Sequence, residues 1–522
     1  MRYIGPFFRM NSLSHCEICG QLFHLSKEAV KLLALNSKCG YTLSSRSAKK
    51  IASTKDISIL SKFSPVLCLY KKSSPIFMHN KTSNGFDSSS FKREIIPTTN
   101  ALLTMSLLEL SDYYSFLSKD SSNYQLAKGY RQLAHEQLDF YYENLRNAEG
   151  IFIPKKSLFE NNSKETNLID KNRKFAFSDQ AFMMNAYYLY SKYEDNEQVK
   201  TDYEEFSNQI LQMFLDYKEA LYNLSFDEGL KTLLAFNIYY KNSKNKSIVP
   251  LIIDLSEFMI NKFDEKNYYI ESLDKSALLA INLMYSYEHT TLVTFKDKYC
   301  EIMDKLLSLY DEDNNVIENL TTKKEIKYTS FDICFYLLSI IMYADISDTL
   351  REYNSTISKI YKKYILNSNI VTSWPEAPDL DNEERYMNFS TLSKDMLDET
   401  FFTMPNLPSL STTGMAPVFL KNIVYSRKKE DFKTSDKKTF DSYKNMFIFY
   451  MFIYTFKDVF FRKLNLLENT YEDSKKTNID EDINTTEDST TSINTNTIKE
   501  TKELNNNSEE SSNTKSTSLE ET

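Results

Sequence analysis

The residues best suited to chemistry are carboxylates. Asp179, Asp227, Asp274, Asp332 and Asp441 recur along the chain, each at the head of a strongly apolar run such as "SDQAFMMNAYYLY" or "FDEGLKTLLAFNIYY". Glu228 stands beside Asp227. Cleaving a glycosidic bond takes two carboxyl groups, one donating a proton and the other acting as nucleophile or base. A chain that gathered several such aspartates at one mouth would hold that pair. A second concentration lies in "SNIVTSWPEAPDLDNEERY", residues 368 to 386, where the sole tryptophan, Trp374, precedes Glu376 and Asp379. An aromatic face next to carboxylates suits a sugar ring. Glu376, Asp379, Asp227 and Glu228 are therefore the candidate catalytic acids, and Trp374, Asp179, Asp274 and Asp332 the candidate substrate-binding residues. A plainer reading stands beside this one. Aspartate is a preferred helix N-cap and suits the positive end of the helix dipole, and a tryptophan also plugs a loop onto a core.

Other chemistries find less. Cys16, Cys19, His24 and Cys39 suit a tetrahedral zinc site, but the spacing to Cys39 fits no standard knuckle, and ordinary reduced thiols or a redox dithiol fit the same residues. Apart from that zinc, no cofactor is expected. The acidic "DLDNEE" lacks the glycine turn of a calcium loop. Only 8 glycines occur in 522 residues, and none forms a phosphate-cradling loop. The five histidines, His15, His24, His79, His135 and His289, sit in no serine- or cysteine-nucleophile context. His135 reads as a surface residue of an outer helix. The first 94 residues carry a net charge of +10, yet lack the interleaved aromatics of single-strand binders. There is no strong nucleic-acid signal, and docking of this basic segment onto the acidic remainder is the simpler expectation. No secretory signal is visible, and the longest apolar run, "MFIFYMFIYTF", is too short to cross a bilayer. With six scattered cysteines, the expected location is the cytoplasm.

The elements that position these residues are helices. Scarce glycine and a 41% hydrophobic content argue against a β-rich fold. Seven cap-and-helix starts, at Thr99, Asp179, Asp227, Asp274, Asp332, Ser390 and Asp441, recur at intervals of mostly about 50 residues. Each opens a helix apolar around most of its circumference, which must be surrounded by protein. Between them lie one-faced amphipathic helices. One is expected to bury Phe295, Tyr299, Ile302, Leu306 and Tyr310; another Phe206, Ile210, Met213 and Tyr217. Buried and half-exposed helices thus alternate. The links from buried to amphipathic helices are short, while several return links are long: 147–178, 311–330 and 367–390. Three of these start alike, "NAEGIFIP", "EDNNVIEN" and "LNSNIVTSW", a polar turn followed by a short extended piece.

An inner ring of apolar helices wrapped by an outer ring fits this alternation better than an open solenoid, whose period is shorter and steadier. Residues 95–460 resemble the six-hairpin glycosidase-like superfamily, whose (α/α) toroid serves many carbohydrate-active enzymes. The resemblance implies an all-α (α/α)6-type toroid, with an active site at the N-terminal ends of the inner helices and a carbohydrate as ligand. Three regions are expected: a basic, partly irregular segment over 1–94, the toroid over 95–465, and an acidic Asn/Ser/Thr/Glu-rich tail over 466–522, read as disordered. A non-catalytic toroid or scaffold, binding a carbohydrate or a protein, fits the same sequence.

Overall fold

The structure, a computed structural model, describes residues 15–43, 59–80, 83–116, 121–158, 167–172, 175–266, 268–318, 324–347, 349–375, 414–433 and 438–457. The chain divides into two units, Met1–Val459 and Phe460–Thr522, and every described residue belongs to the first. The candidate acids Glu376 and Asp379, the helix start at Ser390 and the acidic tail lie outside the described residues.

Among the described residues, twelve long helices build the unit. They are α1 (His15–Leu35), α2 (Pro97–Phe116), α3 (Ser121–Asn144), α4 (Phe177–Ser191), α5 (Glu197–Asp216), α6 (Phe226–Ser243), α7 (Val249–Asp264), α8 (Leu273–Thr290), α9 (Val293–Ser308), α10 (Ser330–Ile346), α11 (Leu350–Ile360, continued by a π turn over Tyr361–Leu366) and α12 (442–457). The even-numbered helices are inner. α2, α4, α6, α8 and α10 pack successively side by side. α12 closes the circle, packing Phe447 on Phe331 and Phe335 of α10 and pairing Lys457 with Glu109 and Asp112 of α2. Their all-round burial explains their composition: in α10 all of Ser330–Met342 is buried except Asp332.

The odd-numbered helices are outer and one-faced. α9 buries Phe295, Tyr299, Ile302, Met303 and Leu306, the expected stripe. α5 turns differently: it buries Tyr203, Ser207, Ile210, Leu211 and Phe214, while Phe206 is half-buried and Tyr217 is 65% exposed. Tyr203, Ser207, Ile210 and Phe214 repeat the 4-3-4 spacing of a helical face, so a serine belongs to the core stripe and a large aromatic does not.

The result is an all-α (α/α)6 toroid. Its sixth outer helix is α1, from the segment ahead of the repeat. α1 packs between α11 and α2. The His15 amide donates to Asn354 Oδ1 at 2.8 Å, the Tyr361 hydroxyl to Gln21 Oε1 at 2.7 Å, and Phe23 lies edge-on to Tyr113 at 4.8 Å.

Links within a hairpin are short, as at 192–196 and 291–292, and those returning to the inner ring are long. The three similar loops share a device. Gly150, Asn315 and Asn369 each adopt a positive φ (82°, 52° and 58°). Extended backbone follows at once, through the Arg146–Phe152 bridge, the Val316–Ile317 strand and the Val371–Phe419 bridge. Glycine and asparagine tolerate that left-handed turn best. No described helix is long and apolar enough to cross a membrane.

Candidate functional site

The first turns of all six inner helices line one end of the ring, and the long loops arrive there. Their carboxylates are used in an unexpected way. The sequence suggests that each aspartate caps its own helix, but mostly they cap the neighbour. Asp179, in the first turn of α4, accepts from the Thr98 amide (2.8 Å) and hydroxyl (2.5 Å) at the start of α2. Glu228 of α6 accepts from the Ser178 amide of α4 at 2.8 Å. Asp332 of α10 accepts from the Asp274 amide of α8 at 3.1 Å, and from Thr329 in its own capping box at 2.7 Å. The true N-cap of α6 is Ser225, and Ala176 leads into α4 with no side-chain cap. Asp441 serves its own helix, accepting from the Lys444 amide, as Asp332 also does through its capping box.

The geometry sets the protonation. Burial pushes the Asp179 carboxyl up to about 6, against the hydrogen bonds from Thr98. Burial and the Asp332 charge push Asp274 up to about 6, against Lys275 and Lys444. Two lysines enter the same mouth. Lys444 of α12 lies over the Phe331 ring at 4.8 Å; burial lowers its ammonium pKa, while Asp274, Asp332 and Asp441 oppose that. Lys231 of α6 is ion-paired to Asp227 and lies 5.3 Å from the centre of the Tyr443 ring. Burial works against this ammonium too, but Tyr443 and Asp227 outweigh it and its pKa is raised. Asp227 remains 49% exposed.

The axis below the mouth is filled. Phe182 of α4 and Phe447 of α12 are not neighbours in the ring, yet their rings lie 5.9 Å apart. With Phe331, Phe335 and Tyr443 they make an aromatic floor. The mouth is therefore a cup rimmed by carboxylates. Its lysines and Tyr443 escape a reading confined to acids; the available signal is a lysine in the first turn of an otherwise apolar helix, as in "DEGLK" and "DSYKN".

Trp374 lies just past the Val371–Phe419 bridge, outside any helix or strand, and is half-buried. That bridge is fastened to α12 by the Phe419 amide donating to Asn445 Oδ1 at 2.7 Å. The histidines lie elsewhere: His15 and His24 on α1, His135 on outer α3, His289 in the last turn of α8, and His79 in a strand. His135 is half-buried rather than a plain surface residue, with Nδ1 3.0 Å from the Tyr203 hydroxyl.

The zinc candidates are divided between a helix and the loop after it. Cys16, Cys19 and His24 are on α1, and Cys19 Sγ meets His15 Nε2 at 3.5 Å. Cys39 follows the helix, where burial pushes its thiol up to about 12. A cysteine that binds zinc does so as the thiolate. Among the described residues no three His, Cys, Asp or Glu side chains group to hold a metal; the Cys16 side chain is outside them.

No family model and no curated protein matches the chain. Solved structures similar to it include a D-mannose isomerase (8% identity, 85% of this chain and 100% of that one, TM-score 0.49). Others are a cellobiose 2-epimerase from Spirochaeta thermophila DSM 6192 (10%, 84% and 96%, 0.43) and a GH76 α-mannanase from Bacteroides thetaiotaomicron (10%, 72% and 91%, 0.36). By its own helix order and ring closure, the chain has the architecture of an (α/α)6 toroid.

Proposed function

We propose that this toroid is carbohydrate-active, binding a neutral saccharide in the cup at the inner-helix N-termini and acting on it by carboxyl acid–base chemistry. The observation that carries the reading is the Asp274–Asp332 pair. Asp332 is fixed by two backbone amides, and burial together with its charge raises the Asp274 carboxyl to about 6, so that a minority of it still carries a proton at pH 7 and most of it does below pH 6. A carboxyl poised in that range can donate a proton to a leaving oxygen. Asp227, half exposed and ion-paired to Lys231, is the ionised partner. The two carboxyls flank consecutive residues of α12, Tyr443 and Lys444. Glu228 and Asp179 are committed to the amides of Ser178 and Thr98, so their part is to hold the mouth in shape.

The test is isothermal calorimetry and product analysis over a panel of neutral mono- and disaccharides. D-mannose and cellobiose come first, being named by the similar solved structures. Asp274→Asn should keep binding and lower turnover about 10²–10⁴-fold. The second reading, a saccharide-binding toroid without catalysis, is favoured by the aromatic floor, which leaves a cup and no deep channel. Binding without turnover by the unaltered protein would decide for it.

A further inference from the structure

Tyr443 and Lys231 belong to helices on opposite sides of the ring, since α6 and α12 are three positions apart in the inner circle of six. Their contact therefore spans the mouth. The Tyr443 hydroxyl is buried beside the Lys231 ammonium, which can only donate to it, and among the described residues it has no acceptor for its own hydrogen. Burial pushes it up to about 12 while the Lys231 charge pulls it down, so it stays a neutral donor. A buried hydroxyl hydrogen without an acceptor is costly, and ring packing does not supply one: the Tyr443 ring is held by Phe331 at 6.2 Å and Phe447 at 6.1 Å.

The next residue points elsewhere. Lys444 stands among Asp274, Asp332 and Asp441. One turn of α12 thus divides the cup in two. One half offers acceptors, the carboxylates around Lys444. The other offers donors, the Tyr443 phenol backed by the Lys231 ammonium.

Resting on the saccharide reading above, we propose that Tyr443, polarised by Lys231, is the cup's oxygen anchor. It donates its hydroxyl hydrogen to a ligand oxygen that has no hydrogen of its own to give, a ring, glycosidic or carbonyl oxygen, while the sugar hydroxyls donate to the carboxylates of the other half. This fixes the ligand's orientation across the cup and selects a saccharide over a polyol of equal size, because an open-chain polyol lacks such an oxygen.

The experiment is calorimetric titration of the full chain with D-mannose, cellobiose and mannitol. The unaltered protein should bind at least one of the sugars and bind mannitol at least tenfold more weakly. Tyr443→Phe should lose about tenfold of the sugar affinity and come level with mannitol, with its melting temperature unchanged or higher because the orphan hydroxyl is gone. Lys231→Met should weaken sugar binding in the same direction. If Tyr443→Phe binds the sugar like the unaltered protein, the anchor is wrong while the cup reading stands. If Asp274→Asn loses turnover but the sugar-over-mannitol preference survives in Tyr443→Phe, the selectivity lies elsewhere and the proposal fails. If the unaltered protein binds neither sugar, both readings fall.

Discussion

The two ends of the inner ring handle charge in opposite ways. At the C-terminal end, Lys457 is matched to Glu109, 3% exposed, and to Asp112, and the three close the circle between α12 and α2. Hairpin links there are short. At the N-terminal end the carboxylates stand at the heads of five of the six inner helices, lysines of α6 and α12 are shared among them, and two aspartates are pushed up to about 6. One end neutralises its charges and uses them as a clasp. The other keeps groups whose charged forms burial disfavours, an arrangement typical of working sites rather than of frames.

The contrast can be broken by experiment. The largest effect on stability is expected at the clasp. Lys457→Met leaves Glu109 charged and buried without its partner, which should cost about 3–5 kcal/mol in urea unfolding. Adding Glu109→Leu should restore most of it. A loss below that of any mouth variant would overturn the assignment of the two ends. Asp179→Ala comes next, freeing the Thr98 amide and hydroxyl, and should cost about 1–2 kcal/mol, partly offset because the burial of a carboxylate is also relieved.

The smallest effect is a difference in sign with pH. Burial, with Lys244 and Lys241, lowers His289 to about 4 near the clasp end, where its Nδ1 meets Asn237 Oδ1 at 3.0 Å. Its folded pKa is below the unfolded value of about 6.5, so the unfolded chain binds more protons and stability falls as pH drops from 6.5 toward 4. Asp179 and Asp274 have folded values above their unfolded ones, so over the window from 6 toward 4 they add stability as pH falls. His289→Gln should therefore remove the acid loss and leave the gain from the aspartates unopposed, so its urea midpoint should rise relative to that of the unaltered chain as the pH is taken from 7 to 5. An unchanged pH dependence would show that His289 is not the group responsible.

Much of the frame is legible in the sequence because it depends on local rules. A helix start followed by an all-apolar run gives an inner helix, and a 4-3-4 stripe such as that of α9 gives an outer one. α5 shows the limit: Phe206 and Tyr217 look like core by type, but the ring buries Ser207 and Phe214. α1 escaped because its cysteines draw attention to metal chemistry, while Ile18, Leu22, Leu25, Ala29 and Leu33 form an ordinary buried face. The mouth was half legible. Its aspartates stand out, but that Asp179 serves α2, or that Tyr443 meets Lys231, depends on how the ring closes. Partners 81 and 212 residues apart leave no trace in a periodicity.

The placement of α1 has a consequence for how the chain is made. Its partners lie at both ends of the order of synthesis: α2 appears soon after it, but Asn354 and Tyr361 of α11 follow more than 300 residues later. At about 5–20 residues per second, the side of α1 facing α11 stays bare for about 15–60 s. The seam between the first and last hairpins is thus the surface most open to wrong partners during translation, and the one a chaperone has most reason to cover.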